Sequence, residues 1–245
     1  RNMTRLRRYI YKLQKAESRK LFSVINSQTL EGKIDQNYIS PYKHWCALSK
    51  SPIVIAYDQR VLKSDTISFY NDVLQPKWKG KIALQEQENS TLRVLSVSFS
   101  VLGGAKNKAF MSQLHAQTAL PKSGDDLVQI KRINSWQAQL GFIELSSLVK
   151  ANQRKDSLNS AVYKNVGVIF PSQTQKGCFY NITGAGIYRY ARNADNARKL
   201  LKFLISKRAQ YDFSSGRAEF PVLDGIEADQ RLEKYGKFRA RFVAN

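Results

Sequence analysis

Residues 168–222 constrain the fold more than any other part of the chain. They read VIFPSQTQKGCFYNITGAGIYRYARNADNARKLLKFLISKRAQYDFSSGRAEFPV. A β-branched run halts at Phe170-Pro171, because the residue before proline is pushed into extended geometry and proline has no ladder donor. A glycine-containing turn and a short apolar run follow. Then comes an amphipathic helix in which Ala197, Leu200, Leu201, Leu204 and Ile205 share one face. A second helix and Glu219-Phe-Pro-Val222 close the stretch. Earlier strand signals fall at residues 53–57, 81–84, 140–145 and 166–170. Helical signals fall at residues 91–102, stopped by Gly103-Gly104, at 106–117 and from Ser123-Gly-Asp-Asp126 onward. Ser146 is placed to cap the helix after the strand at 140–145. Strands alternating with helices predict an α/β fold with mostly parallel sheets flanked by helices.

Both ends of the chain read as basic helices. Residues 1–20 offer Leu6, Ile10 and Leu13 as a buried stripe, and residues 229–242 offer Leu232, Tyr235 and Phe238. Across 245 residues, 40 Lys and Arg against 19 acids give a net charge of +21. That excess favours a polyanionic partner: nucleic acid, anionic lipid, cell-wall polymer or an acidic protein face. No apolar run approaches the roughly 18 residues of a membrane span, so no transmembrane segment is expected. The chain opens at Arg1 without a signal peptide, and its compartment is not legible there. Cys46 and Cys178 permit one disulfide but lack CxxC spacing; two buried free thiols fit equally well.

Five ordered motifs carry a resemblance to a known family. They are His44-Trp-Cys-Ala-Leu-Ser-Lys-Ser-Pro-Ile-Val-Ile-Ala-Tyr57, Val73-Leu-Gln-Pro-Lys-Trp-Lys-Gly-Lys-Ile82, Pro121-Lys-Ser-Gly-Asp-Asp126, Asn181-Ile-Thr-Gly-Ala-Gly186, and the helix pair over residues 197–210. From about Leu13 to the C-terminus the sequence resembles the periplasmic ferric-iron-binding proteins, the solute receptors of iron ABC transporters. The resemblance implies a two-lobed class II periplasmic-binding-protein fold and a periplasmic location. It implies that residues 1–52 with 167–215 form one lobe and residues 53–166 with 216–245 the other. It also implies that a first segment of the first lobe lies upstream of Arg1.

In that family two adjacent tyrosines bind ferric iron as phenolates, since a hard trivalent ion prefers anionic oxygen. The matching positions here are Ser146 and Ser147, and a further family tyrosine falls near Thr91. Glu144, beside the serines, and Tyr180 are the remaining candidate cleft residues. His44 and His115 lack metal-ligand spacing, Asp125-Asp126 reads as a helix start, and no phosphate loop or nucleophile motif is present. No catalytic constellation, resident metal or cofactor is expected.

Serines at the ligand positions, no visible replacement cluster and the basic charge lead to one expectation. It is a non-catalytic protein that has lost ferric-iron binding and docks within a larger envelope assembly, such as a secretion machine. Its partners would be other proteins of that complex, with an anionic wall or lipid surface beside them. The alternative is a working ABC-transporter receptor for ferric iron or a small anion. A nucleic-acid-binding module is a further alternative, but its fold signatures are absent and no nucleic acid is expected as partner.

Overall fold

The computed structural model describes residues 4–7, 10–30, 33–85, 90–118, 121–153, 163 and 165–240, with backbone alone at 4–7, 27 and 100–108. In chain order the elements are β1 (Thr4–Arg7), α1 (Ile10–Ser18), α2 (Ser27–Leu30), β2 (Cys46–Asp58), β3 (Ile82–Ala83), α3 (Thr91–Gln117), α4 (Asp126–Asn134), β4 (Leu140–Glu144), α5 (Leu145–Ala151), β5 (Val166–Ile169), β6 (Tyr180–Ile187), α6 (Ala194–Leu204), α7 (Lys207–Arg217), β7 (Phe220–Pro221) and α8 (Gln230–Glu233). The chain forms two compact units, Arg1–Ser51 with Asn181–Lys234 and Pro52–Tyr180 with Tyr235–Ala244. Residues 167–180 thus belong with the second unit and 216–234 with the first, whereas the sequence expectation assigned them the other way round.

In the first unit β6 pairs antiparallel with β1, from Thr4↔Ile187 to Arg7↔Gly184, and the opening residues of β2 pair with β7. Helix α1 buries Leu13 and Ala16, and α6 buries Ala197 and Leu201. Leu200, expected on the same buried face, is exposed. Gln210 on α7 ties two backbones together: its Nε2 donates to the Leu48 carbonyl at 2.7 Å and its Oε1 accepts from the Val222 amide at 2.8 Å. Gly186 is required because a Cβ there would lie 2.8 Å from the His44 carbonyl oxygen, a backbone atom with nowhere to move. Gly186→Ala is therefore expected to lower stability by about 2 kcal/mol through overpacking. A urea melt checks this; a loss under about 0.5 kcal/mol would show that the strands separate freely.

In the second unit the later residues of β2 are flanked antiparallel by β4 (Ile53↔Glu144 to Tyr57↔Leu140) and by β5 (Ile55↔Ile169 to Asp58↔Val166). Strand β3 lies parallel to β4. Residues 53–56 are fully buried, and Tyr70, Phe99, Phe142 and Phe179 form an aromatic cluster beside them. The Tyr70 hydroxyl accepts from the Phe179 amide at 2.9 Å and donates to the Ile53 carbonyl at 3.3 Å, so this buried phenol is satisfied.

These pairings correct the expectation of mostly parallel sheets. Parallel neighbours need a long crossover, and helices α3 and α4 supply one between β3 and β4. The long strand β2 instead draws neighbours that run against it. Three helix expectations are also corrected. Within residues 1–20, Thr4–Arg7 is a strand, since pairing with β6 outweighs local helix propensity; residues 1–3 and 8–9 lie outside the described set. Gly103-Gly104 does not stop α3, which runs on to Gln117. Two helical glycines cost about 2 kcal/mol together, less than the burial of Val94, Leu95, Phe99, Phe110 and Leu114 on either side returns. Of the expected helix at 229–242, α8 (Gln230–Glu233) is the helical part among the described residues, and residues 241–242 lie outside them. Past Gly236, at φ +90, the chain turns so that Phe238 stacks on Phe170 with ring centres 5.7 Å apart.

Candidate functional site

Three helix N-termini of the second unit converge on one carboxylate. Helix α3 is capped by Ser90, whose Oγ accepts from the Arg93 amide at 3.1 Å, and this makes Thr91 its first residue. Helix α4 is capped by Asp125, whose Oδ1 accepts from the Val128 amide at 3.1 Å, and this makes Asp126 its first residue. Helix α5 begins directly from the buried strand β4, with Glu144 at the junction. Ser146 therefore lies inside the first turn of α5 and is not its cap, correcting the sequence expectation.

Asp126 is nearly buried and accepts four hydrogen bonds. Its Oδ1 takes Gln85 Nε2 at 2.5 Å and Thr91 Oγ1 at 2.8 Å. Its Oδ2 takes Ser147 Oγ at 2.6 Å and the Glu144 amide at 3.1 Å. Ser146 Oγ donates to Glu144 Oε2 at 3.4 Å. The positive ends of the helix dipoles and four donors suit an anion at this point, and the chain supplies its own.

The geometry brings together Thr91, Glu144, Ser146 and Ser147 from the sequence candidates. Tyr180 is in the same unit, nearly buried at the start of β6. Gln85 and Asp126 were missed. The signal for Asp126 was the doubled acid: Asp125 alone satisfies the cap, so the second carboxylate needed a different role.

The hydroxyl protons decide what the cluster can offer. A serine or threonine hydroxyl has one proton and two lone pairs. Thr91 and Ser147 direct their protons at Asp126 and Ser146 directs its own at Glu144, so none of the three offers its proton to a solute. The carboxylates of Asp126 and Glu144 beside the half-buried Ser147 Oγ make this an oxygen-rich, negatively polarised place, a character that suits a hard cation. Ser147 is half-buried, whereas Ser146 and Glu144 are buried, so Ser147 is the most accessible of the three. Among the described residues no group of three or more His, Cys, Asp or Glu is placed to hold a metal by itself.

Other reactive groups are structural. Cys46 and Cys178 are free, each buried in its own unit, and burial pushes both thiols up to about 12; the permitted disulfide is not formed. In the first unit Glu219 is buried and accepts from Ser49 Oγ at 2.5 Å, Thr183 Oγ1 at 2.9 Å and the Arg217 guanidinium at 3.2 Å. Its burial raises the carboxyl pKa, but Arg217 and the three donors outweigh this and hold it below the usual carboxylate range.

The model of the bacterial extracellular solute-binding protein family matches residues 11–240. The chain is similar to Iron uptake protein A1 of Synechocystis, 29% identical over 234 residues, covering 94% of this chain and 64% of the relative. It is similar to the Major ferric iron-binding protein of Neisseria meningitidis at 23% identity, covering 84% of this chain and 61% of the relative. The chain thus spans just under two thirds of the length of these curated relatives. Among solved structures, a Trichodesmium protein (IdiA, FutA) in complex with iron and citrate superposes with a TM-score of 0.91 at 30% identity, covering 98% of this chain and 77% of that one. The ferric binding protein of Campylobacter jejuni shares the fold, with a TM-score of 0.89 at 23% identity, covering 98% of this chain and 78% of that one.

These relatives overturn the expected docking role in an envelope or secretion assembly, because the proteins matched across nearly the whole chain are named for iron uptake and ferric binding. The family is one of binding proteins, not enzymes, and its extracellular description agrees with the periplasmic placement. The chain belongs to the bacterial extracellular solute-binding proteins, in their periplasmic ferric-iron-binding branch with the class II binding-protein fold.

Proposed function

We propose that the chain belongs to a working solute receptor of an iron ABC transporter, non-catalytic, with ferric iron as its solute and a membrane permease as its partner. The observation that carries this reading is the orientation of the half-buried Ser147 hydroxyl in the cluster around Asp126. With its proton committed to Asp126, Ser147 presents oxygen lone pairs, the face that a hard cation takes. The names of the relatives point to the same solute. Serine is a weaker ferric ligand than phenolate, so affinity below that of a tyrosine-ligated receptor is expected, with part of the coordination filled by an anion arriving with the metal. The Trichodesmium neighbour holds iron together with citrate, which makes ferric citrate the first solute to try.

A small anion by itself fits less well despite the net charge of +21, because the hydroxyl donors are already used and the cluster holds two carboxylates. Calorimetry against ferric citrate, citrate alone, phosphate and sulfate separates the two solutes. Saturable heat with ferric citrate and none with the iron-free anions is the expected result. Heat with phosphate or sulfate alone would exchange the ferric reading for the anion one.

A further inference from the structure

The turn after α4 breaks a local rule. Helix α4 ends in a pair of bonds in which the Trp136 amide donates to the Ile133 carbonyl and the Gln137 amide to the Arg132 carbonyl. This ending requires a left-handed residue just past the cap, a place glycine fills at no steric cost. Here it is Trp136, at φ +67, and the side chain that incurs the strain is 63% exposed. A bulky residue at positive φ with most of its surface in solvent is an unusual choice for folding alone.

The surroundings hold that ring in place. The Arg60 guanidinium lies 4.3 Å from the centre of the indole. Its Nε and Nη2 donate to the buried Asp58 carboxylate at 2.8 and 2.6 Å, and Nη2 also donates to the Asn134 carbonyl at 2.7 Å. Arg60 thereby joins the 58–62 turn to the end of α4 and presents a fixed Trp–Arg pair, with Val61 beside it 41% exposed. Asp58 answers the charge of Arg60, while Lys63, Lys81 and Lys131 on the adjoining segments are exposed; Asp65 is the exposed acid nearby. The apolar tip is two side chains, far short of the roughly 800 Å² per partner of a stable protein interface. A protruding tryptophan on segments that carry exposed lysines instead matches the headgroup layer of a bilayer, where indole partitions and cations meet anionic lipid.

We propose that the Trp136–Arg60 tip of the second unit docks on an anionic lipid surface, Trp136 entering the interface and Lys63, Lys81 and Lys131 meeting the headgroups. Such contact holds the chain at a membrane independently of whichever solute it carries, so failure of the ferric reading leaves this proposal standing.

The chain has three tryptophans, and Trp45 and Trp78 are each 3% exposed, so a lipid-induced change in emission reports Trp136. Vesicles of phosphatidylcholine, with and without phosphatidylglycerol, are mixed with the full chain. Co-sedimentation and a blue shift with the phosphatidylglycerol vesicles alone, weakening as salt rises, are expected. Trp136→Gly suits the left-handed position better, so it is expected to melt at the same temperature or higher while losing the shift and about tenfold in partitioning. Lys63→Glu with Lys131→Glu is expected to lose at least about tenfold. No phosphatidylglycerol-dependent binding by the native chain would overturn the proposal. Trp136→Gly binding as tightly as native would also overturn it, leaving plain charge attraction. Competition by a soluble polyanion such as heparin, undiminished in Trp136→Gly, would overturn it in the same way.

Discussion

Replacing Asp126 with alanine is expected to destabilise the chain by about 4 kcal/mol, a large share of the roughly 5–15 kcal/mol that holds a typical domain together. Four donors lose their acceptor at once: Gln85 Nε2, Thr91 Oγ1, Ser147 Oγ and the Glu144 amide. The first residues of α3 and α4 and the start of α5 all depend on that carboxylate, so the loss is not confined to one helix. Asp126→Asn keeps an acceptor oxygen but brings its own two protons against existing donors. It is expected to cost roughly half as much. Urea unfolding of both variants is the check, with the solute titration repeated on the milder one. A cost under about 1 kcal/mol for alanine would mean that water replaces the carboxylate without penalty, and that the cluster is not preorganised.

The second large effect lies in the other unit. Glu219→Ala leaves Arg217, Ser49 and Thr183 without their common acceptor in a buried place, and a loss of about 3 kcal/mol is expected. The same carboxylate sets an acid limit. Its folded pKa is depressed, while in the unfolded chain it returns to an ordinary value near about 4.3. The unfolded chain therefore binds this proton first. The stabilisation from Glu219 is fully present above the unfolded pKa and is lost as pH falls through the folded one. Native stability is expected to decline below about pH 4, and Glu219→Ala to decline less steeply there because its contribution is already gone. Parallel acid limbs in the two proteins would show that Glu219 titrates alike in both states.

The elements most legible in the sequence were those whose local signals and tertiary environment agree. The β-branched run at 53–57 lies within β2, and the helix expected from Ser123-Gly-Asp-Asp126 forms as α4, although its cap is Asp125 and not Ser123, so that it starts at Asp126. Disagreement came where distant contacts outvote local preference. Thr4–Arg7 is basic and helix-compatible, yet β6 offers a strand partner; Gly103-Gly104 looks like a stop, yet buried residues on both sides carry α3 through. Leu200 belongs by period to the buried stripe of α6 but falls at its edge and is exposed.

The site was legible in pieces. Thr91 and the stretch holding Glu144, Ser146 and Ser147 come from two separate segments of the chain, and motif order alone does not reveal that they meet. Asp126 was hidden because a doubled acid at a helix start already has an explanation. Reading the serines as mere loss of tyrosine led to the docking expectation. Their hydrogen-bond directions, visible only in three dimensions, show both hydroxyls donating to carboxylates. Trp136 was hidden for a related reason, since a positive φ on a bulky residue leaves no trace in composition or periodicity.

The most direct test of the ferric reading places a spectroscopic reporter in the cluster. Ser147 is the accessible hydroxyl, and Ser147→Tyr sets a phenol at a position where the sequence resemblance implies one in the family. A phenolate bound to ferric iron absorbs visible light by charge transfer, and serine does not. Titrating Ser147→Tyr with ferric citrate is expected to raise a visible band that saturates at equimolar iron, with tighter binding than the native chain shows by calorimetry. Ferric binding without the band would place the metal away from this cluster, and no binding by either protein would contradict the account.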